Sequence, residues 1–156
     1  MIPLNLPAYN LKIRQKEGKQ EVFDIIRKKF VSLTKEEWVR QHFIHFLIRE
    51  KQYPQSLIGV EYALRSLKQH KRPDIVLFDN KGKPRLIVEC KSPEVRISQD
   101  TFDQVARYNM SLQVDYLIVT NGLDHYCCVI DYKKVNYTFL ADIPEYGQIK
   151  SNVSKS

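Results

Sequence analysis

Short apolar runs alternate along this chain with stretches in which apolar residues recur every three or four positions. Their order predicts helix, strand, hairpin, helix and strand, with additions at both ends. A helix is expected from Thr34 to about Glu50: Thr34 and Glu37 stand as a capping box, and Val39, Phe43, Phe46 and Leu47 share one stripe. After the break at Pro54, Leu57 to Ala63 predicts a strand. A second helix, capped by Ser98 or Asp100, runs to about Gln113 with Phe102, Val105, Ala106, Asn109 and Leu112 on its buried face. Tyr116 to Thr120 predicts a buried strand, Asn121-Gly122 turns the chain, and His125 to Tyr132 and Val135 to Leu140 add further strands. Near the start, Leu11 to Arg14 and Glu21 to Phe23 flank Glu17-Gly18 and suit a hairpin, although Asp24 to Phe30 suits a helix equally well. The economical architecture is an α/β fold: a mixed β-sheet flanked by helices, in one domain over 1–156 with its core at about 34–140 and a polar tail at 150–156.

The strongest local signal is a hairpin. Ile75 to Phe78 and Leu86 to Val88 are apolar arms around the turn residues Asp79 to Lys83. With a two-residue loop at Lys81-Gly82, Asn80 faces Lys83, and counting back sets Asp74 opposite Glu89. Opposed residues share a face, and alternation puts Lys91 on that face with Glu89 while Cys90 points to the other. Two opposed carboxylates repel at the ends of strands apolar enough to be buried. A divalent cation removes that cost. The Asp74 and Glu89 carboxylates, the Cys90 main-chain carbonyl and water form a ligand set suited to Mg²⁺ or Mn²⁺, with substrate phosphate completing it. The Lys91 ammonium is placed to orient an attacking water or offset charge on the phosphate, which points to phosphodiester chemistry.

Composition narrows the partner. Lys and Arg outnumber Asp and Glu by 25 to 18, a formal charge of +7 that favours a polyanion. A basic stretch, Arg65, Lys68, Lys71 and Arg72, leads directly into Asp74 and is a candidate for binding nucleic-acid backbone. The three cysteines cannot complete a disulfide framework, the amino terminus lacks the pattern of a signal peptide, and no apolar run reaches membrane-spanning length. The expectation is therefore a cytoplasmic protein with no membrane partner. No Gly-x-x-x-x-Gly-Lys-Ser/Thr segment occurs, so no ATP site is expected. Zinc is a poor fit to His42, His45, His125, Cys127 and Cys128, because alternation sends Cys128 away from the face of His125 and Cys127.

Pro73-Asp74 with Glu89-x-Lys91, between a leading and a following helix, resembles the PD-(D/E)xK nuclease superfamily. Gln104 and Tyr108, four apart on the next helix, extend the match to a Gln-x-x-x-Tyr pattern like that of the RecB-like nucleases. The stretches Glu36 to Gln41, Ile87 to Pro93, Phe102 to Asn109 and Val119 to Gly122 resemble in particular the N-terminal endonuclease domain of type I restriction enzyme R subunits, over about residues 11–144.

That resemblance implies a restriction-endonuclease-like fold and Mg²⁺-dependent DNA cleavage, with Mn²⁺ able to substitute. Asp74 and Glu89 would be metal ligands, Lys91 the catalytic amine, and Gln104 and Tyr108 would contact DNA or support the site. The family also places a first-helix glutamate near the metal, here Glu36 or Glu37. R subunits continue into an ATP-driven translocase for which no nucleotide motif is present here, so the expectation is a nuclease acting without its own motor, or with separately encoded restriction subunits. The alternative is a catalytically silent nucleic-acid-binding or assembly module of a restriction, defence or repair complex.

Overall fold

The computed structural model describes residues 1–62, 72–110 and 112–149. Ala63, Arg65, Lys68, Lys71 and the tail at 150–156 lie outside the described residues, as does the side chain of Tyr108.

The elements are β1 (Ile13–Lys16), β2 (Lys19–Asp24), β3 (Lys29–Ser32), α1 (Lys35–Arg49), β4 (Ile58–Val60), β5 (Ile75–Phe78), β6 (Pro84–Cys90), α2 (Gln99–Met110), β7 (Tyr116–Thr120), β8 (His125–Asp131), β9 (Asn136–Leu140) and α3 (Tyr146–Ile149). Strands β4 to β9 form one six-stranded sheet in chain order, antiparallel except for the parallel pair β6–β7 that α2 bridges. The mixed sheet flanked by helices is the restriction-endonuclease-like architecture. Alternation along the strands sorts the core into two layers. Val39, Phe43 and Leu47 of α1 pack on Ile75, Leu77, Leu86, Val88 and Ile118, whereas Phe102 and Ala106 of α2 pack on Val76, Ile87, Leu117 and Val119 on the other face. Cys127 and Cys128 fall into opposite layers, and burial pushes both thiols up to about 12.

The amino-terminal region is a three-stranded antiparallel sheet, β1-β2-β3, where the sequence suited either a hairpin or a helix. Asp24 decides against the helix. Its Oδ1 accepts the N–H groups of Ile26 (2.8 Å) and Arg27 (2.9 Å), a local turn that competes with helical pairing and returns the chain as β3.

Among the described residues, the strand expected over Leu57 to Ala63 is shorter: Gln55–Leu57 is a 3₁₀ turn and only Ile58–Val60 pairs with β5. Among the described residues the second helix spans Gln99–Met110, short of the expected Gln113. Half of the capping box at Thr34 forms. Its Oγ1 accepts the Glu37 N–H at 3.0 Å, but the Glu37 side chain is engaged elsewhere.

The β5–β6 turn also differs from the two-residue loop. Asp79 N–H donates to the Lys83 carbonyl at 2.8 Å and Gly82 N–H to the Asp79 carbonyl at 3.0 Å, so Asn80, Lys81 and Gly82 form a three-residue loop with Gly82 at φ +81°. That loop pairs Phe78 with Pro84, and an irregularity at Leu77/Phe78 returns the arms to Leu77↔Leu86 and Ile75↔Val88. The bulge cancels the slip, and the arms reach the far end in the anticipated register.

Candidate active site

The pairs Val60↔Ile75 and Ile75↔Val88 carry over by one residue to a row Glu61, Asp74, Glu89 at the ends of β4, β5 and β6. Asp74 is fixed from three sides. Glu61 N–H donates to its carbonyl at 3.2 Å, Cys90 N–H donates to Oδ2 at 2.7 Å, and Arg40 Nη1 donates to Oδ1 at 3.2 Å. The Glu89 carboxyl is hydrogen-bonded to Asp74 beside it. Lys91 follows at the end of β6, half-buried, with its N–H on the Thr120 carbonyl at 2.8 Å. The thiol of Cys90 lies in the α1-side core, and burial pushes it well above its ordinary value, so it is packing and not a nucleophile.

Burial pushes the Asp74 carboxyl above the ordinary carboxylate range. The Cys90 N–H and the Arg40 guanidinium pull the other way without cancelling it, and the charge of Glu36 adds to the rise.

The helix α1 brings a cationic partner that the sequence pattern did not single out. Arg40 is 8% exposed; its Nε and Nη2 donate to Glu37 Oε2 (2.9 Å) and Oε1 (2.6 Å), leaving Nη1 for Asp74 and for Glu61 Oε1, each at 3.2 Å. Glu37 also accepts from Arg27 Nη2 at 3.1 Å and Gln41 Nε2 at 3.0 Å. The spacing Glu37, Arg40, Gln41, Ile44 is a signal for this, since it puts three polar residues on the buried face of one helix. Burial opposes the charge of Glu37, but Arg40, Gln41 and Arg27 hold its carboxyl below the ordinary range. Four donors occupy its two oxygens, so Glu37 is a structural partner of Arg40. Glu36 is exposed, and its charge is felt at Asp74.

The remaining anticipated residues are not gathered in. Gln104 is exposed on α2, whose buried face is Phe102, Ala106 and Asn109, and Arg72 is exposed just before Pro73. Among the described residues, no three His, Cys, Asp or Glu side chains form a preformed metal cluster.

The family model described as Type I restriction enzyme R protein N terminus (HSDR_N) matches residues 35–144, more than half of the chain. The chain belongs to this family. A search of curated proteins found no match. The R-protein N-terminal family is one of nuclease-type domains of restriction enzymes, and its matched span contains α1, the β5–β6 hairpin and α2, hence Arg40, Asp74, Glu89 and Lys91. The β1–β3 sheet precedes the matched span. No helix among the described residues is long and apolar enough to cross a membrane.

The donor set fits the hard divalent cation that the nuclease resemblance implies. Asp74 and Glu89 offer carboxyl oxygens side by side, and a cation there would stabilise the charged form of Asp74 that burial disfavours.

Proposed function

We propose that this chain is a Mg²⁺-dependent DNA endonuclease that hydrolyses phosphodiester bonds. The observation carrying the reading is the Asp74–Glu89 carboxyl pair, held at the end of the β5–β6 hairpin beside Lys91, in a chain of the R-protein N-terminal family.

Asp74, Glu89 and the Cys90 carbonyl would hold Mg²⁺ or Mn²⁺, with Glu36, rather than the engaged Glu37, as the acid of α1 able to join through water. The cation supplies Lewis-acid activation of water and neutralises charge at the phosphate. Lys91 orients the attacking water and offsets charge developing on the phosphate oxygens as the phosphorus–oxygen bond to the leaving strand breaks. Arg72, with Arg65, Lys68 and Lys71, binds the DNA backbone, and Gln104 and Tyr108 contact the DNA or support the site. No ATP is needed for this chemistry; a separately encoded motor or other restriction subunits would supply translocation, in the cytoplasm.

Cleavage of supercoiled and single-stranded DNA with Mg²⁺ or Mn²⁺, by wild type and Lys91→Ala purified side by side, tests the reading. Cutting by wild type alone is expected. Undiminished cutting by Lys91→Ala would sink the mechanism. DNA binding without cutting by either would favour the assembly module.

A further inference from the structure

Arg40 joins two parts of the molecule that the sequence keeps apart. On one side it holds Asp74 Oδ1; on the other, its fork is filled by Glu37, which Arg27 and Gln41 also grip. Both of those residues lead to Asp24. Arg27 Nε donates to Asp24 Oδ2 at 2.6 Å, and Gln41 Nε2 donates to the same oxygen at 3.0 Å. Asp24 ends β2 and is fully buried, so this chain of charges runs from the amino-terminal sheet through α1 to the end of β5. Glu61 closes it into a ring, with Oε1 on Arg40 and Oε2 on Arg27 Nη1 at 3.4 Å, while its own backbone holds φ +50°. A non-glycine residue in the left-handed region costs energy and persists only where its surroundings impose it. A guanidinium suits this place because its planar fork serves Glu37 with two nitrogens and leaves a third for Asp74, which an ammonium cannot do.

We propose that Arg40 is a positioning residue for Asp74, and that Asp24 and Arg27 of the amino-terminal sheet set Arg40 through Glu37. The segment before the matched family span is then a working part of the site. Its consequence for metal and DNA rests on the nuclease reading above; the positioning itself does not.

The readout is the Cys90 amide, whose proton reports the 2.7 Å bond to Asp74 Oδ2 and therefore how that carboxylate is turned. Amide NMR spectra would be compared for wild type, Arg40→Lys, Arg27→Gln and the control Arg85→Gln. The control breaks the ion pairs of Arg85 with Asp79 (3.2 Å) and Asp115 (2.8 Å) near the turn of the same hairpin. In the first two variants the Cys90 amide proton should move upfield, and in Arg85→Gln it should stay. Mn²⁺ titration of the same samples should show affinity at the Asp74–Glu89 corner falling about 10-fold or more in the first two alone. A Cys90 shift no larger in Arg27→Gln than in Arg85→Gln would overturn the proposal, and that comparison decides the matter even where Arg40→Lys does not fold. Absence of any Mn²⁺ effect in wild type would instead strike the nuclease reading, with the amide shift still deciding the positioning.

Discussion

Asp74 and Asp79 flank the same short strand, Asp79 buried and Asp74 half-buried, and their electrostatic fates are opposite. At Asp79, burial would raise the carboxyl, but the N–H groups of Lys83 and Lys81 and the Arg85 guanidinium hold it below the ordinary range. At Asp74, the Cys90 N–H, a shared guanidinium and the hydrogen bond with Glu89 together fall short of the burial cost, and the acid is pushed up. Burial of an acid is ordinary structure where donors match it. Where they do not, the charged form is disfavoured, and acids of that kind concentrate at functional sites. Asp24 and Glu37 side with Asp79, which is why the Glu37–Arg40 network reads as scaffold and the hairpin end as site.

Removing a cation tests each end most severely. Arg40→Met should cost about 3–5 kcal/mol in urea denaturation, because it leaves Glu37 buried without its principal partner. A loss well under that would mean that water or Arg27 replaces Arg40, and the contrast between the two ends would weaken.

Exchanging the acids themselves comes next. Asp74→Asn should lower Mg²⁺-dependent cleavage by about 100-fold or more while leaving the urea midpoint unchanged or higher. Asp79→Asn should do the reverse, lowering the midpoint and sparing cleavage. Equal destabilisation by both would erase the distinction.

The pH dependence has opposite signs in the two groups. Asp24 and Glu37 are held below their ordinary values of 3.8 and 4.5, so the stability they contribute is complete above those values and is lost as pH falls through the lower folded values. Asp74, raised in the fold, favours the folded state most below 3.8, and that contribution is lost as pH rises through its folded value. Denaturation midpoints of Asp24→Asn should accordingly show a flatter acid limb than wild type, and those of Asp74→Asn should no longer lose the Asp74 contribution as pH rises. The smallest expected effect is at the cap of α1: Thr34→Ala should cost about 1 kcal/mol, through the lost bond to the Glu37 N–H, with no change in cleavage.

Much of the architecture was legible because it rests on local patterns. The bounds of β7 follow from its apolar run alone, and the core face of α2 from the spacing of Phe102, Ala106 and Asn109. Asp74 could be set opposite Glu89 by counting, although the turn was of a different kind, because the bulge at Leu77/Phe78 cancelled the error. Glu37 was ambiguous for a physical reason. Its position three residues after Thr34 fits a cap, yet its side chain answers to Arg27, ten residues earlier in the chain, and to Arg40 on the next turn.

By itself the sequence determined the alternation that sorts the strands of the six-stranded sheet between two core layers, the setting of Asp74 opposite Glu89, and the family to which the chain belongs. These depend on near neighbours and on period. Only the tertiary structure decided which acids are neutralised. Arg40 meets Asp74 and Arg27 meets Glu61 across 34 residues of chain in each case, and whether a buried carboxylate is scaffold or site depends on the donors that arrive from such distances.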